Sequence, residues 1–116
     1  MIHVLSIPDW RPTTLDKLLY ATVRDRIHLK KEDRTFIAFY AKNLCIPKAT
    51  GRRRVTLEIG LTGRQKEADI DAYQKTVLDA LVECGLLLGD TRAEAEWGGV
   101  SYSRGESFTA ICLEDC

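Results

Sequence analysis

The four cysteines, Cys45, Cys84, Cys112 and Cys116, include no C-x-x-C pair, and the chain has only two histidines, His3 and His28. A zinc centre needs clustered Cys and His ligands, so that chemistry is set aside. Unclustered thiols in a chain able to bury its own core are expected free, as a reducing compartment keeps them. No apolar run approaches the roughly 18 residues of a membrane span, so no membrane partner is expected. The opening MIHVLSIPDW has neither a basic start nor a long apolar stretch, which predicts a cytoplasmic protein without a secretory signal. Repeats, low-complexity tracts and linkers are also missing. The 116 residues therefore read as a single domain, 1–116.

An excess of charge of either sign is lacking too, with 17 basic residues against 17 acidic ones. The distribution is uneven. Before Val55 twelve basic residues face five acids, and the remainder reverses that balance, so the halves carry +7 and −7. Such asymmetry permits a phosphate-binding surface beside an acidic pocket. Arg52, Arg53 and Arg54 form the densest basic cluster, followed by Lys30 and Lys31. These five are the candidate DNA contacts; the competing reading is that they only solvate the ends of their elements.

Hydrophobic periodicity supplies the elements. Ile2 to Ile7 predicts a short buried strand, stopped by Pro8. Asp9 to about Lys30 shows no clean period and reads as a long irregular segment, which points to function or mobility. Phe36, Phe39, Tyr40, Asn43 and Leu44 fall at helical spacing, predicting a helix from about Lys31 to Leu44. Val55, Leu57, Ile59 and Leu61 alternate with polar residues or glycine, the clearest strand in the chain. Val77, Leu78, Leu81 and Val82 predict a helix from about Asp71 to Cys84 with Gly85 as its stop. Two closing strands, about Arg92–Tyr102 and Ser107–Leu113, read as a hairpin around Ser103–Glu106. The expected fold is α/β: a β-α-β-α-β-β mixed sheet with two helices packed on it. Trp10, Tyr20, Tyr40, Trp97 and Phe108 are assigned to the core rather than to base stacking, with Trp10 the exception to watch.

Asp69-Ile70-Asp71 sits where a loop meets a helix. An Asp there commonly caps the helix, but one cap accounts for one Asp. Two carboxylates two residues apart in an extended segment point the same way and could face one cation. Asp90, beyond the helix end, could complete a hard-oxygen site suited to Mg²⁺. Lys75, four residues after Asp71, is either a surface ion pair or an ammonium near a reacting phosphate.

Asp69-x-Asp71-x-x-Gln74-Lys75-x-x-x-Asp79-Ala80-Leu81, then Gly85, then Asp90, resembles the RusA-type Holliday junction resolvases. That family carries D-x-D-N-x-x-K, then D-A-L, then an aspartate after a short apolar run. The resemblance is dense from about Asp69 to Asp90 and loose elsewhere. It implies a RusA-like fold, with Asp69, Asp71 and Asp90 as metal carboxylates and Lys75 as the catalytic lysine. It also implies Mg²⁺ or Mn²⁺ as cofactor and a homodimer that cuts branched, four-way DNA. Two positions depart from the pattern: Ala72 replaces the family's asparagine, and Gly89 stands where a second acid often lies. The expectation from the whole chain is a Mg²⁺-dependent junction endonuclease. The alternatives are a RusA-like module that binds DNA or protein without cutting, and a structural protein whose acids are caps.

Overall fold

The alternation at residues 55–61 sets the architecture. In the computed structural model, which describes residues 1–116, this stretch is a strand. The elements are β1 (Ile2–Pro8), α1 (Leu15–Tyr20), α2 (Val23–Asn43), β2 (Arg53–Leu61), α3 (Gln74–Glu83), β3 (Ala95–Arg104) and β4 (Phe108–Asp115). The four strands form one mixed sheet in the order β1-β4-β2-β3. β4 runs antiparallel to both β1 and β2, and β3 runs parallel to β2.

Register aligns the apolar side chains in rows across the sheet. Leu5, Ile111, Leu57 and Val100 are successive partners, and Ile7, Thr109, Ile59 and Tyr102 form the next row. Because side chains alternate faces, these rows share one side of the sheet. Ile37 and Ala41 of α2 and Val77, Ala80 and Leu81 of α3 join them in one core. The opposite side carries exposed Val4, Arg54, Glu58 and Glu114. The molecule is thus two layers, helices over one face of a sheet.

The β2-α3-β3 unit forms a parallel crossover. The hairpin is not formed: β3 and β4 lie on opposite sides of β2. The short link between them steps over the end of β2, where the Gly105 N–H donates to Leu61 O. Gly60 makes that passage possible, since a Cβ there would run into the Glu106 carbonyl and the Phe108 ring. Proximity in sequence suggests pairing, but here a side-chain-free position lets the chain cross instead.

The expectation of two helices is also revised to three. The stretch read as irregular contains α1 and the first turns of α2. Thr14 caps α1 by accepting the Lys17 N–H, and Thr22 caps α2 by accepting the Asp25 N–H. Their helicity comes from caps rather than a broad apolar stripe, because Val23 and Ile27 are exposed. Further along α2 the buried line is Asp33, Ile37 and Ala41, not the aromatic series, and Phe39 and Leu44 face outward. α3 ends as expected: Gly85 adopts φ +76°, and the Leu86 N–H returns to Leu81 O.

Candidate functional site

α3 begins at Gln74, not near Asp71, and residues 70–73 form a turn that feeds it. The turn is fixed by backbone bonds, Ala72 N–H to Asp69 O and Leu15 N–H to Ala72 O. The residue preceding α3 is Tyr73, and no side chain caps the helix. The capping role considered for Asp69 and Asp71 is therefore not taken up. Both are exposed, and neither carboxylate is engaged by any hydrogen bond or ion pair of the chain. The uncapped first turn leaves its N–H donors to solvent or an anion.

Asp71, Lys75 and Asp90 line one cleft of about 260 Å³, together with Leu15, Gln74 and Leu78. Asp90 arrives there because the chain turns back along α3 after Gly85, burying Leu86 and Leu87 on the way. The Lys75 Nζ lies 3.2 Å from Asp79 Oδ1 and 3.8 Å from Asp90 Oδ2. Asp69 is not among the cleft residues; it sits in the segment entering the turn. No three Asp, Glu, His or Cys side chains are gathered at metal-holding distance. The donor chemistry nonetheless fits a hard cation, since Mg²⁺ uses one or two carboxylates and fills its remaining positions with water and phosphate oxygens. Asp71 and Asp90 are the pair that would hold it, with Asp69 two residues before Asp71.

A second, more enclosed depression of about 330 Å³ adjoins the cleft and shares Asp90. Lys30, Asp33, Thr13, Thr76, Asp79 and Glu83 contribute to its walls. Its organising residue is Asp33, which sequence reasoning missed. Asp33 is only 5% exposed, and its two carboxylate oxygens accept the Thr13 N–H at 3.3 and 3.2 Å. Burial pushes its pKa up to about 6 against the opposing pull of those bonds. The Thr76 hydroxyl donates to Thr13 O at 2.6 Å, so Thr13 ties α2 to α3 beside the cleft. A buried Asp on an otherwise polar helix leaves no periodic signal; only an acid aligned with Ile37 and Ala41 could have hinted at it.

The departures from the family pattern have distinct settings. Ala72 is buried and packs into the core, so residue 72 offers no side-chain donor to the carboxylates. A Cβ at Gly89 would meet the carboxylate of Glu94. An acidic group thus stands against residue 89 although that residue carries none.

The proposed DNA-contact residues divide. Lys30 is exposed and lines the second depression, as Asp90 does, and Lys31 is exposed on α2. Arg54 is exposed. Arg52 is exposed but donates to Arg92 O at 2.9 Å and lies 3.9 Å from Glu96. Arg53 must be withdrawn as a phosphate contact. It is 2% exposed, with Nε 2.7 Å from Asp115 Oδ1 and Nη1 donating to Leu86 O at 3.0 Å. As the alternation of β2 dictates, Arg53 falls on the same face as Val55. Trp10 is likewise a core residue, stacked on Phe36 with ring centroids 5.6 Å apart. Tyr20, expected inside, is 91% exposed. All four cysteines are free thiols, and no helix is long and apolar enough to cross a membrane. No protein-family model matches the chain, and no curated protein matches it significantly.

Proposed function

We propose that the protein is a metal-dependent, structure-specific DNA endonuclease of the RusA type, resolving four-way junctions by paired symmetric nicks. The observation that carries this reading is the convergence of Asp71, Lys75 and Asp90 on one cleft. Asp90 comes from a different segment, so helix spacing alone does not account for it. The free carboxylates of Asp69 and Asp71 add to it, since groups with no role in holding the fold are available for chemistry.

Asp71 and Asp90, joined by Asp69, would hold a Mg²⁺ or Mn²⁺ ion. When bound, such an ion supplies Lewis-acid polarisation of the phosphate and lowers the pKa of water. The residues of the chain do the rest. Lys75, held in place by Asp79 and Asp90, presents its ammonium toward the charge that builds on the phosphoryl oxygens. The uncapped start of α3 adds backbone donors on the same side. Lys30, which lines the adjoining depression together with Asp90, offsets the repulsion that an acidic cleft exerts on a phosphate backbone.

A homodimer belongs to the proposal for a chemical reason. Resolving a junction requires cuts in two symmetrically placed strands, and one such cleft makes one nick. A two-fold dimer presents two equivalent clefts to a two-fold substrate. A second reading, a DNA-binding module that does not cut, is favoured by Ala72, which leaves the carboxylates without an orienting amide. A labelled four-way junction incubated with purified protein, with Mg²⁺ and with EDTA, separates the two. Paired nicks only with Mg²⁺ support the nuclease. Retarded but uncut junction supports the binding module, and neither cutting nor retardation rejects both.

A further inference from the structure

Beyond the cleft, we infer that the loop of residues 62–68 is the platform that grips the DNA backbone next to the turn that carries Asp69 and Asp71, with Arg64 and Lys66 as its phosphate contacts. This rests on the DNA reading above and assigns a surface that reading leaves open. The loop follows the end of β2 and leads directly into Asp69.

A surface loop would ordinarily be a poor platform, but this one is tied down along its length. The Thr62 N–H donates to the Gln65 side chain at 2.8 Å, and the Gln65 N–H returns to Thr62 O at 3.1 Å. Arg104 of β3 donates to Gly63 O and Gln65 O at 3.4 and 3.1 Å. The Tyr102 hydroxyl accepts the Ala68 N–H at 3.2 Å. Arg11 reaches Lys66 O at 3.4 Å with one face of its guanidinium and donates to the Tyr73 hydroxyl at 2.7 Å. Arg11 thereby locks the loop to the residue that opens α3, next to Asp71.

The ties also gather charge. Arg11, Arg64, Lys66 and Arg104 meet at this loop, and none of them has a carboxylate within ion-pair distance. Of the thirteen other basic side chains, four are paired with carboxylates: Arg34 with Glu83, Arg52 with Glu96, Arg53 with Asp115, Lys75 with Asp79 and Asp90. Glu67, Asp69 and Glu106 are the acids in or beside the loop, and none is within ion-pair distance of the four. Arg64 and Lys66 have exposed side chains that bond to nothing in the chain, so their charges are available. Arg11 and Arg104 direct their donors to carbonyls and hold the geometry. Phosphate contacts of this kind set register without reading sequence.

The test is the salt dependence of binding to a fluorescent four-way junction in EDTA, for the wild type, Arg64→Gln/Lys66→Gln, and the charge-matched Lys42→Gln/Lys48→Gln, two exposed lysines at and just beyond the end of α2. Losing two phosphate contacts per protomer, four in the homodimer, should lower the slope of log affinity against log salt by about 3.6 and weaken binding at least about tenfold at moderate salt. The Lys42/Lys48 pair should change less. An unchanged slope in the loop variant overturns the assignment, and so does an equal loss in both variants, which would report net charge alone. A wild type that binds no junction at any salt overturns the DNA reading itself, and this inference with it.

Discussion

The Lys75 ammonium lies 3.8 Å from a carboxylate oxygen of Asp90, a residue delivered from beyond the far end of the helix. Asp79, one turn along, holds the same ammonium at 3.2 Å. Both pairs are exposed, so together they contribute no more than about 1 kcal/mol to stability. Lys75→Ala should leave the urea midpoint nearly unchanged while slowing junction cutting at least about tenfold, or about 1.4 kcal/mol in barrier. Affinity should stay within about twofold, because the charge acts mainly in the transition state. If affinity falls in step with rate, Lys75 is a ground-state phosphate contact.

Asp71→Asn and Asp90→Asn should abolish cutting and spare both fold and junction binding. Each change keeps size and removes one anionic donor, and the Asp71 carboxylate supports nothing in the chain. Thermal melts should overlay on the wild type. Asp69→Asn is the informative comparison, since Asp69 lies outside the cleft residues. It should cost activity as well, through a carboxylate drawn in when the cation binds. A rate within about twofold of wild type, roughly 0.4 kcal/mol, would remove Asp69 from the metal set and leave Asp71 and Asp90 alone.

Arg53→Met should cost about 2–3 kcal/mol of stability, read as a lower urea midpoint. The substitution keeps much of the buried volume but leaves Leu86 O without its donor and Asp115 without its partner. The hydrogen bond from Arg53 holds the Asp115 carboxyl below its ordinary 3.8. That stabilisation is present above about 3.8 and disappears as pH falls through the depressed value. The variant should therefore lose less additional stability in acid than the wild type does. Its salt slope for junction binding should equal that of the wild type; a lower slope would return Arg53 to the DNA surface.

Much of this was legible in the residues. β1 follows from a short buried run stopped by Pro8 and β2 from alternation, α3 and its stop from Val77, Leu81 and Gly85, and the Asp71–Lys75–Asp90 grouping, though not the inclusion of Asp69, from spacing and resemblance. The rest was hidden for identifiable reasons. α1 and the start of α2 rest on threonine caps with few buried residues, so periodicity is silent there. The crossing over β2 depends on the empty space at Gly60, a tertiary fact that a short link cannot announce. Burial reverses the meaning of charge: Arg53 and Asp33 look in sequence like their exposed neighbours Arg52 and Glu32. Their positions in line with Val55 on the strand and with Ile37 on the helix were the available signal.

Asp33 yields the clearest pH prediction. Its carboxyl is buried between α2 and the Thr13 segment, and burial raises its pKa to about 6 while the Thr13 N–H and Lys17 pull the other way. Glu32 adds to the rise, and Lys30, Asp79, Glu83 and Asp90 share the depression it lines. A pKa raised on folding means that the folded state holds the proton more tightly than the unfolded chain. The resulting stabilisation is complete below the ordinary 3.8 and is lost as pH rises through about 6. A rise of that size corresponds to about 3 kcal/mol. Asp33→Asn keeps an oxygen to accept the Thr13 N–H and cannot ionise. Urea unfolding of both proteins between pH 4 and 7.5 should show a difference that grows in favour of the variant from about pH 4 to about pH 6 and levels off above that. Taking the difference removes the titration of other acids, which is common to both. Parallel profiles across that range would mean that Asp33 titrates alike in the folded and unfolded chains, and that its burial beside Thr13 does not bear on its charge.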